Sequence, residues 1–244
     1  MEDNYVFIVD EESKTHKKRD FLETRVFKNI KIPYSCISII RGKTGVGKTT
    51  LLNMLGLMDE LEYNNGIMFY PNSKESGKNY KELKYSEVEQ IRKKYFGFMF
   101  QHDHLIDGWS GWENIILPNM IQYPYENPNN TKSIVKEMIE EYGFFDLDNN
   151  TLKQSPSTYS GGQRQRVALL RAIIKKPKVL FVDEPFASVN SEVANNIINV
   201  LYKKSTHGTS VIMVIHDIHK QLLSNYKTNE INLDNNYYLE IKKD

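Results

Sequence analysis

The strongest constraint on the fold is a glycine-rich segment at residues 42–49, which lies between an apolar run at residues 37–40 and a helical pattern at residues 49–57. The pattern G-x-x-x-x-G-K-T is typical of a loop whose backbone N–H groups surround a phosphate at the positive end of a helix. Lys48 is expected to reach the β- and γ-phosphates, and Thr49 to ligate magnesium. The predicted nucleotide-binding residues of this loop are Gly42, Lys43, Thr44, Gly45, Val46, Gly47, Lys48, Thr49 and Thr50.

A second apolar run, at residues 179–182, ends in two adjacent carboxylates, Asp183 and Glu184. Two carboxylates at the end of a buried strand are costly unless a cation offsets their charge, and magnesium prefers oxygen ligands. The alternative is a strand that ends in a solvated acidic pair. The presence of Lys48 in the same chain favours a magnesium-nucleotide site over that alternative.

Between these segments lies Tyr159 followed by Ser160, Gly161, Gly162 and Gln163, at the start of a helical pattern. Glycine N–H groups and a serine hydroxyl at a helix N-terminus form a second potential anion site. The three segments together resemble the ATP-binding subunit of an ABC transporter, in which Ser160–Gln163 would be the signature motif. The resemblance covers the chain from about residue 26 to residue 216.

The resemblance implies roles for further residues. Asp183 and Gln101 would join Thr49 around magnesium, and Glu184 would be the general base that orients the attacking water. Gln101 would also sense the γ-phosphate and link the core to a helical lobe, and His216 would be the switch histidine that contacts the γ-phosphate. The residues Ser160, Gly161, Gly162 and Gln163 would contact the ATP held by a second subunit, so two copies would form a head-to-tail homodimer around two ATP molecules.

Three positions depart from the family pattern. Asn190 stands where the family usually has an aspartate, and a neutral amide keeps hydrogen bonding but loses the charge. Tyr159 replaces the usual leucine, which we expect to alter packing more than phosphate contact. For adenine stacking, His16 stands in the place of the usual tyrosine, and Phe21 is the alternative.

The order of apolar runs predicts an α/β fold of the P-loop ATPase type, with a mainly parallel sheet, an N-terminal antiparallel β subdomain and an inserted α-helical subdomain. We expect residues 1–244 to form one ABC ATP-binding domain. Residues 1–101 and 159–244 would be the ATPase core, and residues 102–158 the helical lobe. The polar, basic residues 11–20 are predicted to be a loop between antiparallel strands, and a Lys- and Ser-rich surface segment is expected after residue 70.

Residues 102–118 are the most informative about a partner, because they resemble the lipoprotein-releasing, macrolide-export and cell-division branch of the family. In that branch the ATPase drives a permease of four spans with a large periplasmic domain. The resemblance implies that residues 101–118 contact this permease and that the cargo is lipoprotein, protein, peptide or drug. Trp109 and Trp112 would either join this interface or pack the helical lobe. The competing interpretation is a soluble ABC ATPase of DNA repair or translation.

Composition limits the other partners. Lys+Arg 32 against Asp+Glu 31 gives a net charge of +1, so no overall field attracts nucleic acid. No stretch approaches the roughly 18 apolar residues of a membrane span. Cys36 is the single cysteine, which suits a reducing compartment. Together with the resemblance, which implies a permease, these features lead us to expect a cytoplasmic protein held on the cytoplasmic face of the inner membrane by that permease. The pair His102 and His104 could bind a metal, but a loop that contacts the lobe or a partner is the preferred interpretation.

Overall fold

The computed structural model describes residues 4–17, 21–59, 66–186, 189–215 and 217–243. The strands are β1 (Tyr5–Lys17), β2 (Phe21–Pro33), β3 (Ile37–Arg41), β4 (Ile67–Phe69), β5 (Lys78–Asn79), β6 (Phe96–Met99), β7 (Val179–Asp183), β8 (Ser210–Val214), β9 (Thr228–Asn232) and β10 (Tyr237–Lys243). The helices are α1 (Lys48–Leu55), α2 (Tyr85–Tyr95), α3 (Gly111–Gln122), α4 (Pro128–Tyr142), α5 (Asn149–Leu152), α6 (Gly161–Ile173), α7 (Ser191–Thr206) and α8 (Leu233–Asn236).

A parallel sheet of order β6-β7-β8-β3-β9 forms the centre of the fold. Every residue of β7 and β8 is buried, as expected for strands that are covered on both faces. Because the strands are parallel, their carboxyl ends meet at one edge of the sheet. This edge carries the glycine-rich loop after β3 and the carboxylates at the end of β7.

The antiparallel sheet, of order β10-β2-β1-β4-β5, contains a long hairpin that corrects the sequence prediction. The expected loop at residues 11–20 is wrong for most of its length, because β1 continues to Lys17 in register with β2. Thr15 faces Thr24 across this ribbon, with 2.9 Å between their hydroxyl oxygens. Residues 11–17 are all polar, so this part of the ribbon lacks the apolar alternation by which strands are recognised.

Helices pack against both faces of the parallel sheet. The helices α3, α4 and α5 lie within residues 102–158, where helices were expected. Helix α2 was missed in the Lys-rich segment because only Val88 and Ile91, three positions apart, are buried on it. Within the described ranges, no helix combines the length and apolar character that a membrane crossing requires.

Two hydrophobic clusters hold the layers together. One lies between the parallel sheet and the helices α3, α4, α6 and α7. The other lies between the parallel sheet, the antiparallel sheet and α1, and its centre is a group of phenylalanines. The rings of Phe7 and Phe69 lie 5.2 Å apart, and Phe96 lies 5.1 Å from Phe181. This packing fixes β7 against the antiparallel sheet and so fixes the edge where the carboxylates lie.

Candidate nucleotide-binding and hydrolysis site

The glycine-rich loop leads directly into α1. Gly47 precedes the helix with φ of 102°, a left-handed conformation, and no side chain caps the first turn. A Cβ on Gly47 would lie 3.1 Å from Phe27 Cζ and 3.2 Å from Arg25 Cδ, so glycine is required both by conformation and by close approach. The loop therefore presents helix N-terminal N–H groups, which suit an anion.

Lys48 turns back over the loop. Its Nζ donates to the carbonyl oxygens of Gly42 at 2.9 Å and Lys43 at 3.1 Å. These contacts hold the ammonium at the loop, where a phosphate would lie. On the outer rim, Lys43 N donates to Asp234 Oδ1 at 3.4 Å. Sequence reasoning missed Asp234, because the residue comes close only through the fold of the C-terminal segment.

The loop and the acidic strand end meet at Thr49. Its hydroxyl donates to Asp183 Oδ1 at 3.5 Å, and Asp183 is only 7% exposed. The neighbouring Thr50 hydroxyl accepts from Arg25 Nη1 at 3.0 Å. Thr49 and Asp183, predicted as ligands of one magnesium ion, are thus brought together from positions far apart in the chain.

Glu184 lies beside Gln101. The Gln101 amide donates from Nε2 to Glu184 Oε2 at 2.7 Å. Glu184 has φ of 45°, a left-handed conformation that is strained for a residue with a side chain, and its N–H donates to Val214 O at 2.9 Å. Such strain is concentrated at functional sites. Neither the strain nor the pairing with Gln101 is visible in the sequence.

The signature motif lies at the start of α6. Ser160 Oγ accepts from Gln163 N at 3.2 Å, and Gln163 Oε1 accepts from Ser160 N at 3.0 Å, which forms a capping box. The motif lines a cleft of about 580 Å³. The described residues of the phosphate-binding loop do not line this cleft. Its lining comprises Gly143, Phe145, Asp146, Ser160, Gly161, Gly162, Arg166, Val189, Asn190, Glu192, Val193 and Asn196.

Tyr159 is buried next to the motif. Its hydroxyl can donate to either of two carbonyl oxygens, Thr151 O at 2.9 Å and Gln154 O at 3.1 Å. The hydroxyl occupies space that Gly111 leaves, since a Cβ on Gly111 would lie 2.2 Å from it. The substitution of tyrosine for the usual leucine is therefore accommodated by packing against α3. Asn190 caps α7 by accepting from Val193 N at 2.9 Å.

Other predicted residues are not all described. His216 lies outside the described residues. His16 is opposite Glu23 near the end of the hairpin, and Phe21 begins β2, but the side chains of both fall outside the described part of the chain. The rings of His102 and His104 lie 6.4 Å apart. Within the described ranges, His, Cys, Asp and Glu side chains form no group of three or more that could hold a metal ion.

A glycine-rich loop at the edge of a parallel sheet, with a lysine inside it and two carboxylates beside it, defines a P-loop nucleotide hydrolase. The sequence pattern of the family described as ABC transporter matches residues 28–187, and the chain belongs to this family. It is an ATP-binding, ATP-hydrolysing enzyme, with the α/β fold of ABC ATPases.

Its relatives support this assignment. The chain is 32% identical to an uncharacterized ABC transporter ATP-binding protein of Methanocaldococcus jannaschii, over 87% of this chain and 88% of that protein. It is 31% identical to the lipoprotein-releasing system ATP-binding protein LolD of Rickettsia prowazekii, over 88% and 90% of the two chains. It is 35% identical to the bacitracin export ATP-binding protein BceA of Halalkalibacterium halodurans, over 73% and 66%.

A solved structure is also similar. The dimeric structure of a post-hydrolysis state of the ATP-binding cassette MJ0796, bound to ADP and Pi, superposes with a TM-score of 0.71 at 28% identity. The alignment covers 87% of this chain and 89% of that chain.

Proposed function

We propose that this chain is the ATPase of an exporter, which works as a head-to-tail homodimer and drives a membrane permease. The proposal is carried by the arrangement of two sites. Thr49 contacts Asp183 and Gln101 contacts Glu184 in one site, whereas the signature motif lines a separate cleft. Each chain thus offers one nucleotide site and one surface for the partner's nucleotide. Residues 1–101 and 159–244 would form the ATPase core and residues 102–158 the helical lobe.

In the nucleotide site, the N–H groups of residues 42–50 would bind the phosphates, and Lys48 would move from its loop carbonyls to the β- and γ-phosphates. The donors at hand fit a magnesium ion, because the Thr49 hydroxyl, the Asp183 carboxylate and the Gln101 amide supply oxygen atoms. Bound magnesium would neutralise charge that develops on the phosphates. Asp183 is nearly buried, and this makes a cation at its carboxylate favourable.

Glu184 would accept a proton from the attacking water. Gln101 fixes the carboxylate through a 2.7 Å hydrogen bond, and the hydrogen bond from Glu184 N to Val214 O holds the residue at the carboxyl edge of the sheet. His16 or Phe21 would stack on adenine, and His216 would contact the γ-phosphate.

The signature motif would complete the site of the other subunit. The residues Ser160, Gly161 and Gly162 line an open cleft at a helix N-terminus, which suits an anion held by a second copy of the chain. Gln163 is occupied in the capping box, so we propose that it orients Ser160.

The membrane partner would bind near residues 101–118. A groove of about 210 Å³ lies between β6, α6 and Pro118 of α3, and its lining includes Phe98 and Phe100. Trp109 is 40% exposed and is available to a partner, whereas Trp112 is 6% exposed and packs in the helical lobe. Relatives named for lipoprotein release and bacitracin export favour an exporter over a soluble repair or translation ATPase. The chain would lie on the cytoplasmic face of the membrane, and its permease would have four spans with a large periplasmic domain.

Glu184→Gln tests the proposal. The variant should bind ATP, lose hydrolysis and form a dimer with ATP and magnesium that ADP does not support, as measured by phosphate release and sedimentation. Glu137→Gln, an exposed carboxylate on α4, is the matched control and should behave as the parent. Parent-level hydrolysis by Glu184→Gln would remove Glu184 from the role of base.

The trapped dimer also tests the partner. Tagged Glu184→Gln protein, purified from native membranes with ATP and magnesium, should carry a four-span permease that mass spectrometry identifies. Recovery of a soluble partner would contradict the exporter.

A further inference from the structure

Arg164, in the first turns of α6, holds together segments that are distant in sequence. Its Nε donates to Asp103 Oδ2 at 2.7 Å and its Nη2 to Asp103 Oδ1 at 2.8 Å, so the guanidinium and carboxylate form a two-pronged pair. Its Nη1 donates to Pro156 O at 2.8 Å and to Asp107 Oδ1 at 3.2 Å. One side chain thus joins the signature helix, the turn before the signature motif and the loop after Gln101.

The loop after Gln101 is fixed at further points. Arg171, also on α6, donates to the carbonyl oxygens of Asp103 and His104. Asp103 Oδ1 accepts from Leu105 N at 3.0 Å. From the α3 side, Asn114 Oδ1 accepts from Ile106 N at 2.7 Å. The loop is therefore held to both α6 and α3, and Arg164 supplies its ion pairs to α6.

The Arg164–Asp103 ion pair is partly buried, so solvent screens its attraction less than that of an exposed pair. The Arg164 side chain is 26% exposed and the Asp103 side chain 15% exposed. Two parallel hydrogen bonds, at 2.7 and 2.8 Å, join the guanidinium to the carboxylate in this partly shielded position.

We propose that Asp103 and Arg164 are positioning residues that couple Gln101 to the signature motif, so that the state of one nucleotide site sets the orientation of Ser160 toward the partner's ATP. The inference rests on the proposed function. The physical path runs from Gln101 along two peptide units to Asp103 and through Arg164 into α6. Coupling between sites requires such a contiguous element that both sites can bias.

A purely structural role predicts a different outcome. If the pair only holds the loop in place, its loss lowers stability and nothing else. If it positions the signature motif, its loss weakens ATP-driven dimerisation while the ATP affinity of the monomer, measured without dimerisation, stays the same.

The experiment uses Glu184→Gln protein as the parent and adds Arg164→Gln, Asp103→Asn, the two together, and Arg164→Lys. Dimer formation is measured by sedimentation against ATP concentration with magnesium, and monomer affinity with a fluorescent nucleotide at protein concentrations below dimerisation. Lys203→Gln is the matched control, because it removes a similar ion pair, to Glu141, that joins α7 to α4 at 2.6 Å. Thermal unfolding of each variant is recorded alongside.

We expect Arg164→Gln and Asp103→Asn each to raise the ATP concentration for half-dimerisation about 5-fold or more, the lower range for coupling between sites. The double variant should be no worse than either single one, and Arg164→Lys should fall between. The inference is overturned if Arg164→Gln and Asp103→Asn reach half-dimerisation at the same ATP concentration as the parent, or if Lys203→Gln raises that concentration equally. It is also overturned if the effects of the two single substitutions add in the double variant. A parent that forms no ATP-dependent dimer would refute the proposed function, and this inference with it.

Discussion

Gly111→Ala should destabilise the protein mainly through one clash, with the Tyr159 hydroxyl. A Cβ at position 111 would lie 2.2 Å from the Tyr159 hydroxyl and 3.0 Å from Leu152 Cδ2. Gly111 does not have positive φ, so alanine meets no backbone strain. It also follows the helix cap Ser110, at a position where alanine is a good helix former. The effect of the substitution therefore comes from side-chain crowding, in which the Tyr159 hydroxyl makes by far the shortest contact.

The magnitude follows from what Tyr159 would lose. Ordinary contact begins at 3.4 Å, so the hydroxyl must move by about 1.2 Å. Its bonds to Thr151 O at 2.9 Å and Gln154 O at 3.1 Å cannot both survive that movement. Overpacking costs about 1–3 kcal/mol and each lost hydrogen bond about 1 kcal/mol, whereas removal of glycine flexibility returns about 0.4–1 kcal/mol. We expect a net loss of about 2–3 kcal/mol.

Tyr159→Phe provides the test of this reasoning, because it removes the colliding oxygen. In that background Gly111→Ala should cost less than about 1 kcal/mol, which gives a coupling energy above 1 kcal/mol in a double-mutant cycle. Urea unfolding of the four proteins measures it. Gly97→Ala is a control for an unrelated clash, 2.3 Å from Ala172 O, and should not be rescued by Tyr159→Phe. Additive effects of Gly111→Ala and Tyr159→Phe would refute the reasoning.

Three further predictions concern charge. Lys48→Ala should weaken ATP binding about 10-fold or more in calorimetry, because a charged hydrogen bond is worth about 1.5–3 kcal/mol; unchanged affinity would contradict the assignment of the loop. Burial, with the charge of Arg92, lowers the pKa of Lys175 from 10.5 to about 8. Between these two pH values the folded state has released a proton that the unfolded state keeps, so stability should rise with pH from about 8 to 10.5. Lys175→Met should lack this rise in urea unfolding at pH 7, 9 and 10.5, and a rise equal to the parent's would refute it. Asn190→Asp should keep the cap on α7 and the unfolding midpoint while it raises the cooperativity of hydrolysis with ATP concentration; an unchanged Hill coefficient would show that the charge has no role.

Local sequence patterns were sufficient to predict structure where a motif determines its own backbone conformation. The loop at residues 42–49 and the start of the signature helix were predicted because glycines and capping residues act within a few positions. The extension of the hairpin from residue 11 to Lys17 and the helix α2 were not predicted, because both segments are rich in polar residues and show weak apolar periodicity. The sequence could not predict that Trp109 is exposed and Trp112 buried, because this difference depends on how α3 and the residues before it pack on their neighbours.

The sequence by itself determined the class of chemistry: a phosphate loop, two carboxylates after an apolar run and the signature motif define an ABC ATPase through residue type and short spacing. Only the tertiary structure decided which side chains meet. The hydrogen bond from Gln101 to Glu184, the ion pair of Arg164 with Asp103 and the fit of Tyr159 to Gly111 join positions 83, 61 and 48 residues apart. Such contacts depend on how buried strands and helices pack, and side-chain packing over that separation leaves no local pattern in the chain.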